Sequence, residues 1–250
     1  MGCQLSIMYQ AELFGILEKI ELTAFPVIKG KNQKGPFDII FLEGTIVSRK
    51  DLKIVKELRK KTRVLVAIGS CATDGCVPQI KNFMKNVEKS VYNKTGHLGA
   101  IDPVPLDRHV KVDYYIRGCP VDKIEFLNFV KDVLLGKDFK TYEKPVCHEC
   151  NLQENNCLLE QGKACLGPIT FGDCSVMCPH LGFRCIGCRG PYTDANLNKF
   201  FIVLEEVGLT IEEAKKMMNK FAGLKISDMI EEGIKQGVVD KRYSMKTKGQ

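Results

Sequence analysis

The sequence predicts an α/β protein in which a parallel, doubly wound sheet precedes an irregular cysteine-rich region and short C-terminal helices. Three observations predict it. Short apolar runs alternate with segments of helical period over the first half of the chain, and strands alternating with helices imply a parallel sheet covered on both faces. The best of these runs are continuously apolar, typical of strands buried in a parallel sheet. Eight of the twelve cysteines fall between Cys147 and Cys188, in a stretch without sustained periodicity.

In chain order, Leu5 to Ile20 reads as a helix, with Leu5, Met8, Leu13, Ile16, Leu17 and Ile20 on one face. Glu21 to Ile28 reads as a strand. Phe37 to Leu42 is a buried strand ending at Glu43-Gly44, and Arg49 to Lys61 is an amphipathic helix. Arg63 to Ile68 is a second buried strand, ending in Gly69-Ser70-Cys71. Pro78 to Ser90 reads as helical. Val112 to Ile116 is a strand ending in Gly118-Cys119-Pro120, and Val121 to Leu135 is a helix. Ligands bind such sheets beyond the carboxyl ends of the strands. Cys71 and Cys119 each follow a strand and Cys3 precedes a helix, so the three are expected on one rim. Gly136 to Pro145 is a polar linker. Cys147 to Cys188 is rich in Gly and Pro, with too little apolar core to fold alone. Asn196 to Val207, Thr210 to Phe221 and Ser227 to Gln236 read as three short closing helices. The basic tail Lys241 to Gln250 is expected to be mobile. The implied divisions are 1–136, 145–192 and 193–250.

Composition narrows the function. Of the 250 residues 44% are hydrophobic and 27% charged, an ordinary globular balance. The net charge of +7 is spread along the chain, unlike the clustered footprint of a nucleic-acid binder. No apolar run approaches the roughly 18 residues of a membrane span. Met1 to Ile20 lacks the layout of a signal peptide, so a cytoplasmic location with reduced thiols is expected, and clustered cysteines then point to metal. Met1-Gly2-Cys3-Gln4-Leu5-Ser6 fits a myristoylation pattern, a short pattern that is common by chance.

The dense region runs Cys147-x2-Cys150-x6-Cys157-x7-Cys165-x8-Cys174-x3-Cys178-x6-Cys185-x2-Cys188. Eight thiolates make two sets of four, and a 4Fe–4S cube takes four. Loose spacing beyond the CxxC pairs suits a cube larger than one ion. Two structural zinc sites are the alternative, because zinc also favours four cysteines with CxxC pairs. Two divisions remain open: Cys147, Cys150, Cys157 and Cys165 against Cys174, Cys178, Cys185 and Cys188, or a ferredoxin-like exchange of one cysteine. His148 and His180 are read as surface or outer neighbours. Cys3, Cys71 and Cys119 are candidate ligands of a further site. Cys76 is a fourth candidate, or equally an inert thiol. Glu43 is read as a helix-capping or core hydrogen-bonding group, with contact to a cluster or proton handling as the alternative.

Gly2-Cys3-Gln4-Leu5-Ser6, Glu43-Gly44, Gly69-Ser70-Cys71-Ala72 and Gly118-Cys119-Pro120 resemble the small subunit of NiFe-hydrogenases and the 20 kDa subunit of respiratory complex I. Pro145-Val146-Cys147 through Cys188-Arg189-Gly190-Pro191, with Cys165-Leu166-Gly167-Pro168-Ile169-Thr170, resembles the delta subunit of cytosolic NAD(P)-linked hydrogenases and sulfhydrogenases, and the related gamma subunit of deazaflavin-coenzyme-reducing hydrogenases. The resemblance covers residues 1 to 195. It implies a flavodoxin-like domain with a proximal 4Fe–4S cluster on Cys3, Cys71 and Cys119, then a ferredoxin-like iron–sulfur region with two 4Fe–4S clusters on the eight later cysteines. It further implies a nickel–iron site on a separate large subunit, and NAD(P)/flavin or ferredoxin-like electron-transfer partners. The family pattern begins CxGCxxS, whereas here Cys3 has no cysteine three residues before it. A first, central strand is likewise missing before the first helix, so an upstream strand ending in a cysteine is expected. On that expectation Met1-Gly2 is not the true terminus and the lipidation reading falls away. The quinone-site role of a complex I subunit is the competing enzyme reading. A zinc-stabilised scaffold is the non-enzymatic one.

Overall fold

The computed structural model describes residues 2–9, 12–25, 33–85, 87 and 100–248. Its centre is a three-stranded parallel sheet of β1 (Phe37–Glu43), β3 (Thr62–Ile68) and β5 (Tyr114–Ile116), in the order β1-β3-β5. The register aligns Glu43 with Ile68 and Ile68 with Ile116, so the three strands end level with one another. Leu65, Val66, Ala67 and Ile68 of β3 are all buried, because the central strand is covered on both faces. Val66 and Ile68 face one core with Ile7 of α1 (Gly2–Met8), Ile16 of α2 (Glu12–Leu17), and Phe126 and Phe129 of α5 (Lys123–Leu134). Leu65 and Ala67 face the other, with Val55 of α3 (Arg49–Lys60) and Ala72 of α4 (Gly69–Asp74). The alternation of side chains along a strand assigns these residues to opposite faces.

Local signals set the helix starts. Ser48 caps α3 by accepting from the Asp51 N–H, and Asp122 caps α5 by accepting from Ile124 and Glu125. Each cap satisfies an N–H with no partner inside the helix. A two-stranded antiparallel sheet of β2 (Ile46–Ser48) and β4 (Ala100–Val104) lies outside the sequence reading; its strands are too short to show a period.

Several expected elements differ. The helix expected over Leu5 to Ile20 is two helices, α1 and α2. The strand expected over Glu21 to Ile28 does not form over 21–25, and its remainder lies outside the described residues. Pro78 to Ser90 holds a 3-10 helix at Val77–Phe83 instead of an α-helix; residues 86 and 88–90 lie outside the described set.

The cysteine-rich region holds α6 (Val146–Leu152) and α7 (Met177–His180). The closing helices are α8 (Leu197–Glu206) and a 25-residue α9 (Ile211–Lys235), in place of three short ones. The second and third expected helices are one, kinked where Ala222 adopts φ −140° and ψ 31°. The buried Gln79 explains how the kink is tolerated, since its Oε1 accepts the Leu224 N–H at 2.8 Å. Thr210 and Glu213 form a reciprocal cap at the start of α9.

The tail expected to be mobile is packed instead. Tyr243 and Met245 are buried, the Tyr243 ring stacks on Phe201 at 4.2 Å, and Ser227 Oγ donates to the Met245 carbonyl at 2.6 Å. This C-terminal core also takes in Leu166 and Ile169 of the cysteine-rich region. Phe201→Ala is expected to empty that stack and cost about 3–5 kcal/mol; a denaturation midpoint within error of the parent would show that the tail is not part of the core.

Candidate metal centre

The level strand ends create the rim on which the first cysteines meet. Ser70 N–H donates to the Gly118 carbonyl at 2.8 Å, tying the turn after β3 to the turn after β5. Cys71 sits in the first turn of α4, which starts directly after β3, and Cys119 in the turn after β5. Cys3 enters from the start of α1, its Sγ accepting the Val121 N–H at 3.4 Å. Gly69 makes room for it: with φ +75°, a Cβ there would lie 2.3 Å from the Cys3 Sγ. Glu43 caps the start of α1, accepting the Cys3 N–H at 3.1 Å and the Gln4 N–H at 3.3 Å, in agreement with its expected capping role. Cys3, Cys71 and Cys119 therefore share one rim, and Cys76 joins them. Burial pushes the Cys3 thiol up to about 11, with Glu43, Cys71 and Cys119 adding to the rise. The Cys76 thiol donates a hydrogen bond to Cys71, which lowers Cys71 to about 6 and raises Cys76.

The eight later cysteines fall into two neighbourhoods. Cys147 and Cys150 lie one turn apart on α6, and with Cys157 and Cys165 they line one cavity, closed by Gly167 and Pro179. Burial pushes Cys147 up to about 12, with Cys165, Cys150 and Cys157 contributing; Cys150 is raised by burial, then by Cys165 and Cys157. Cys174, Cys178, Cys185 and Cys188 form the second neighbourhood. Burial raises Cys174 to about 11, and Cys188 beside it adds to that rise; burial also raises Cys185 and Cys188, the latter with help from Cys178. Cys185 also feels Cys165 of the first set, ahead of Cys188. All twelve thiols are free. Among the described residues, no three Cys, His, Asp or Glu side chains converge tightly enough for a single ion.

Two contacts join the neighbourhoods. The Cys185 N–H donates to the Cys165 Sγ at 3.3 Å, and Ser70 Oγ beside the rim donates to the Cys188 carbonyl. The sets therefore lie in a row: the rim, then Cys174 to Cys188, then Cys147 to Cys165. Further N–H groups serve Cys174 from Val176 and Cys185 from Gly187. His148 pairs with Tyr142 Oη at 2.9 Å and His180 with Asn155 at 3.3 Å, both on exposed ground.

The residues that dock the two regions are ones sequence reasoning missed. Arg189 Nη2 donates to Glu125 Oε2 at 2.9 Å, and both side chains are almost fully buried. Its Nη1 donates to the Arg117 carbonyl at 3.1 Å, while Ser70 Oγ donates to the Cys188 carbonyl. Gly190 has φ +76°, and a Cβ there would lie 2.5 Å from Asp74 Oδ1. The buried Asp74 carboxylate pairs with Arg117 at 3.2 Å and with Lys225 of α9 at 3.5 Å. Burial pushes Glu125 up to about 7 against the pull of Arg189. Nothing in the sequence marks these charges, because their partners lie 64 and 43 positions away.

The described features define a class, an α/β oxidoreductase subunit with cysteine sets at and beyond its sheet rim. Residues 1–133 match the model of the NADH ubiquinone oxidoreductase 20 kDa subunit family, and the chain belongs to this family, which also holds the small subunits of NiFe-hydrogenases. It is 35% identical over 224 residues to the sulfhydrogenase 2 subunit delta of Pyrococcus furiosus, covering 88% of this chain and 94% of that protein. It is 28% identical over 157 residues to the NAD-reducing hydrogenase HoxS subunit delta of Cupriavidus necator, covering 55% of this chain and 75% of that protein. The actinobacterial-type NiFe-hydrogenase structure from Ralstonia eutropha H16 matches 96% of this chain and 88% of that chain, with TM-score 0.55 and 17% identity, a likeness of fold. No helix among the described residues is long and apolar enough to cross a membrane.

Arg189→Met is expected to strand the buried Glu125 carboxylate and cost about 3–5 kcal/mol. Arg189→Met with Glu125→Leu is expected to regain most of that stability. Equal denaturation midpoints for the single and double variants would show that the pair does not hold the docking.

Proposed function

We propose that the chain is the electron-transfer small subunit of a NiFe-type hydrogenase. It would work between a large subunit holding the nickel–iron site and an NAD(P)/flavin or ferredoxin-like subunit. One observation carries the reading: the cysteine sets lie in one continuous row, joined by the Ser70–Cys188 and Cys165–Cys185 hydrogen bonds.

The donor sets fit iron–sulfur clusters. Cys147, Cys150, Cys157 and Cys165 would hold one 4Fe–4S group; Cys174, Cys178, Cys185 and Cys188 would hold another; and Cys3, Cys71 and Cys119 would supply three ligands to a third. Zinc would need four sulfurs about 2.3 Å from one ion, and no such tight group occurs among the described residues. The Nε of Arg189 is buried with no hydrogen-bond partner among the described residues, and its guanidinium favours the charged forms of Cys174 and Cys188. A positive group beside thiolates suits an anionic cluster. When bound, a 4Fe–4S group exchanges one electron at a time and stores none as hydride.

The chain's own residues do the remaining work. Backbone N–H groups of Val121, Cys185, Val176, Gly187 and Cys119 stabilise negative charge on cysteine sulfur, a means of raising a cluster's potential. Burial excludes water from Cys3, Cys165 and Cys185. The raised thiols must lose their protons to bind iron, so assembly releases protons and weakens with falling pH. The row also gives an order that the sequence does not: Cys174 to Cys188 lies next to the rim, and the earlier Cys147 to Cys165 lies outermost.

Purified anaerobically, the protein is expected to carry about eight to twelve irons per chain, four per cluster. Dithionite should bleach its visible absorbance and give an EPR signal. Stoichiometric zinc with a colourless protein would overturn the reading. A neighbouring gene for a large subunit with paired CxxC motifs is the expected genetic counterpart.

A further inference from the structure

We propose that Glu149 is a positioning residue for Cys174, and that its carboxylate lowers the potential of the iron–sulfur group that Cys174 would help to bind. The inference deepens the proposed function and rests on its reading of Cys174, Cys178, Cys185 and Cys188 as one donor set.

Hydrogen-bond geometry carries it. Glu149 Oε2 accepts the Asp173 N–H at 2.7 Å and the Cys174 N–H at 3.5 Å. The carboxylate belongs to α6, the helix of the other donor set. Cys147 and Cys150 are three positions apart and share a face of α6, whereas Glu149 lies on another face. One short helix therefore presents two thiols to its own set and a carboxylate to the next. The backbone brings the two segments together. The Val146 N–H donates to the Thr170 carbonyl and the Gly172 N–H to the Lys144 carbonyl, each at 2.8 Å. A Cβ at Gly172 would lie 2.8 Å from Glu149 Oε2, so the bare glycine leaves the carboxylate its path.

A neutral side chain could accept either N–H, so the charge needs its own reason. Asp173 adopts φ 67°, and successive N–H groups turned toward one point form a concavity that favours an anion. A carboxylate held there opposes further negative charge at Cys174, and Glu149 adds to the rise of that thiol. Arg189 acts on Cys174 in the opposite sense. An electron added to a group bound at Cys174 meets the same repulsion, which makes the group harder to reduce. The effect is local, because Cys147 and Cys150 are raised by burial and by neighbouring thiols.

The test compares Glu149→Gln, Glu149→Ala and Cys174→Ala in the full chain with its partner subunits, prepared anaerobically. Iron content and EPR-monitored redox titrations are read, with no reliance on turnover. Cys174→Ala identifies the signal of the Cys174 group. Glu149→Gln keeps an oxygen that can accept the N–H groups and removes the charge. It is expected to hold the parental iron content and to shift the midpoint of the Cys174 group upward, with the other groups unshifted. Glu149→Ala loses the contact as well, so its Cys174-group signal should also broaden or lose intensity. A merely structural acceptor would leave the Glu149→Gln midpoint unmoved. That result, or an equal shift of every group, overturns the proposal, and so does a Glu149→Ala signal of parental shape and intensity. Should Glu149→Ala fail to fold, the Glu149→Gln midpoint decides. A parent protein without any reducible signal fails the proposed function itself. If Cys174→Ala leaves all signals unchanged, the reading of that donor set has failed, and the proposal with it.

Discussion

The buried pair between Arg189 and Glu125 is the constraint on which the arrangement depends. A guanidinium and a carboxylate are withdrawn from water together, at 2.9 Å, and neither is tolerable there without the other. Arg189 directly follows Cys188, and Glu125 lies on the helix after the Cys119 turn. Satisfying the pair therefore sets Cys188 against Cys119. The neighbouring contacts enforce the same approach. Ser70 holds the Cys188 carbonyl, Arg189 reaches the Arg117 carbonyl, and Gly190 leaves room for the Asp74 carboxylate. A tripeptide thus turns two separate cysteine sites into neighbours, the closeness that the proposed electron relay would need.

The cysteine-rich region has a small core of its own. Val146, Leu158, Cys165, Val176 and Cys185 form it, so two of its five buried members are themselves candidate ligands. The metal binding proposed for this segment would be coupled to its folding. The rest of its support is borrowed. Leu166 and Ile169 reach into the core of α8 and α9, while Cys188 to Gly190 docks on the sheet rim. Lys225 of α9 closes the loop by pairing with Asp74. The Phe201–Tyr243 stack and the buried Met245 hold the chain's last segment onto the same core. The closing helices thereby contact both the cysteine region and the sheet domain.

Part of this was legible in the residues. The runs Phe37 to Leu42 and Arg63 to Ile68 read as strands because a central parallel strand is apolar on both faces. The rim position of Cys3, Cys71 and Cys119 followed from the turn after each strand and the start of α1. Other features were hidden. The kink at Ala222 depends on Gln79, a residue 145 positions from the N–H it satisfies. Tail packing depends on a ring stacked across 42 residues of chain, and neither contact leaves a periodic trace.

By itself the sequence determined the family and the strands Phe37 to Leu42, Arg63 to Ile68 and Val112 to Ile116 of the parallel sheet, because these reside in residue types and local spacing. Tertiary structure decided which cysteines are neighbours and in what order the sets lie. It also decided that buried charges hold the two regions together. Those facts turn on distances between residues far apart in the chain, set by the level ends of β1, β3 and β5 and by the desolvated pair at Arg189 and Glu125.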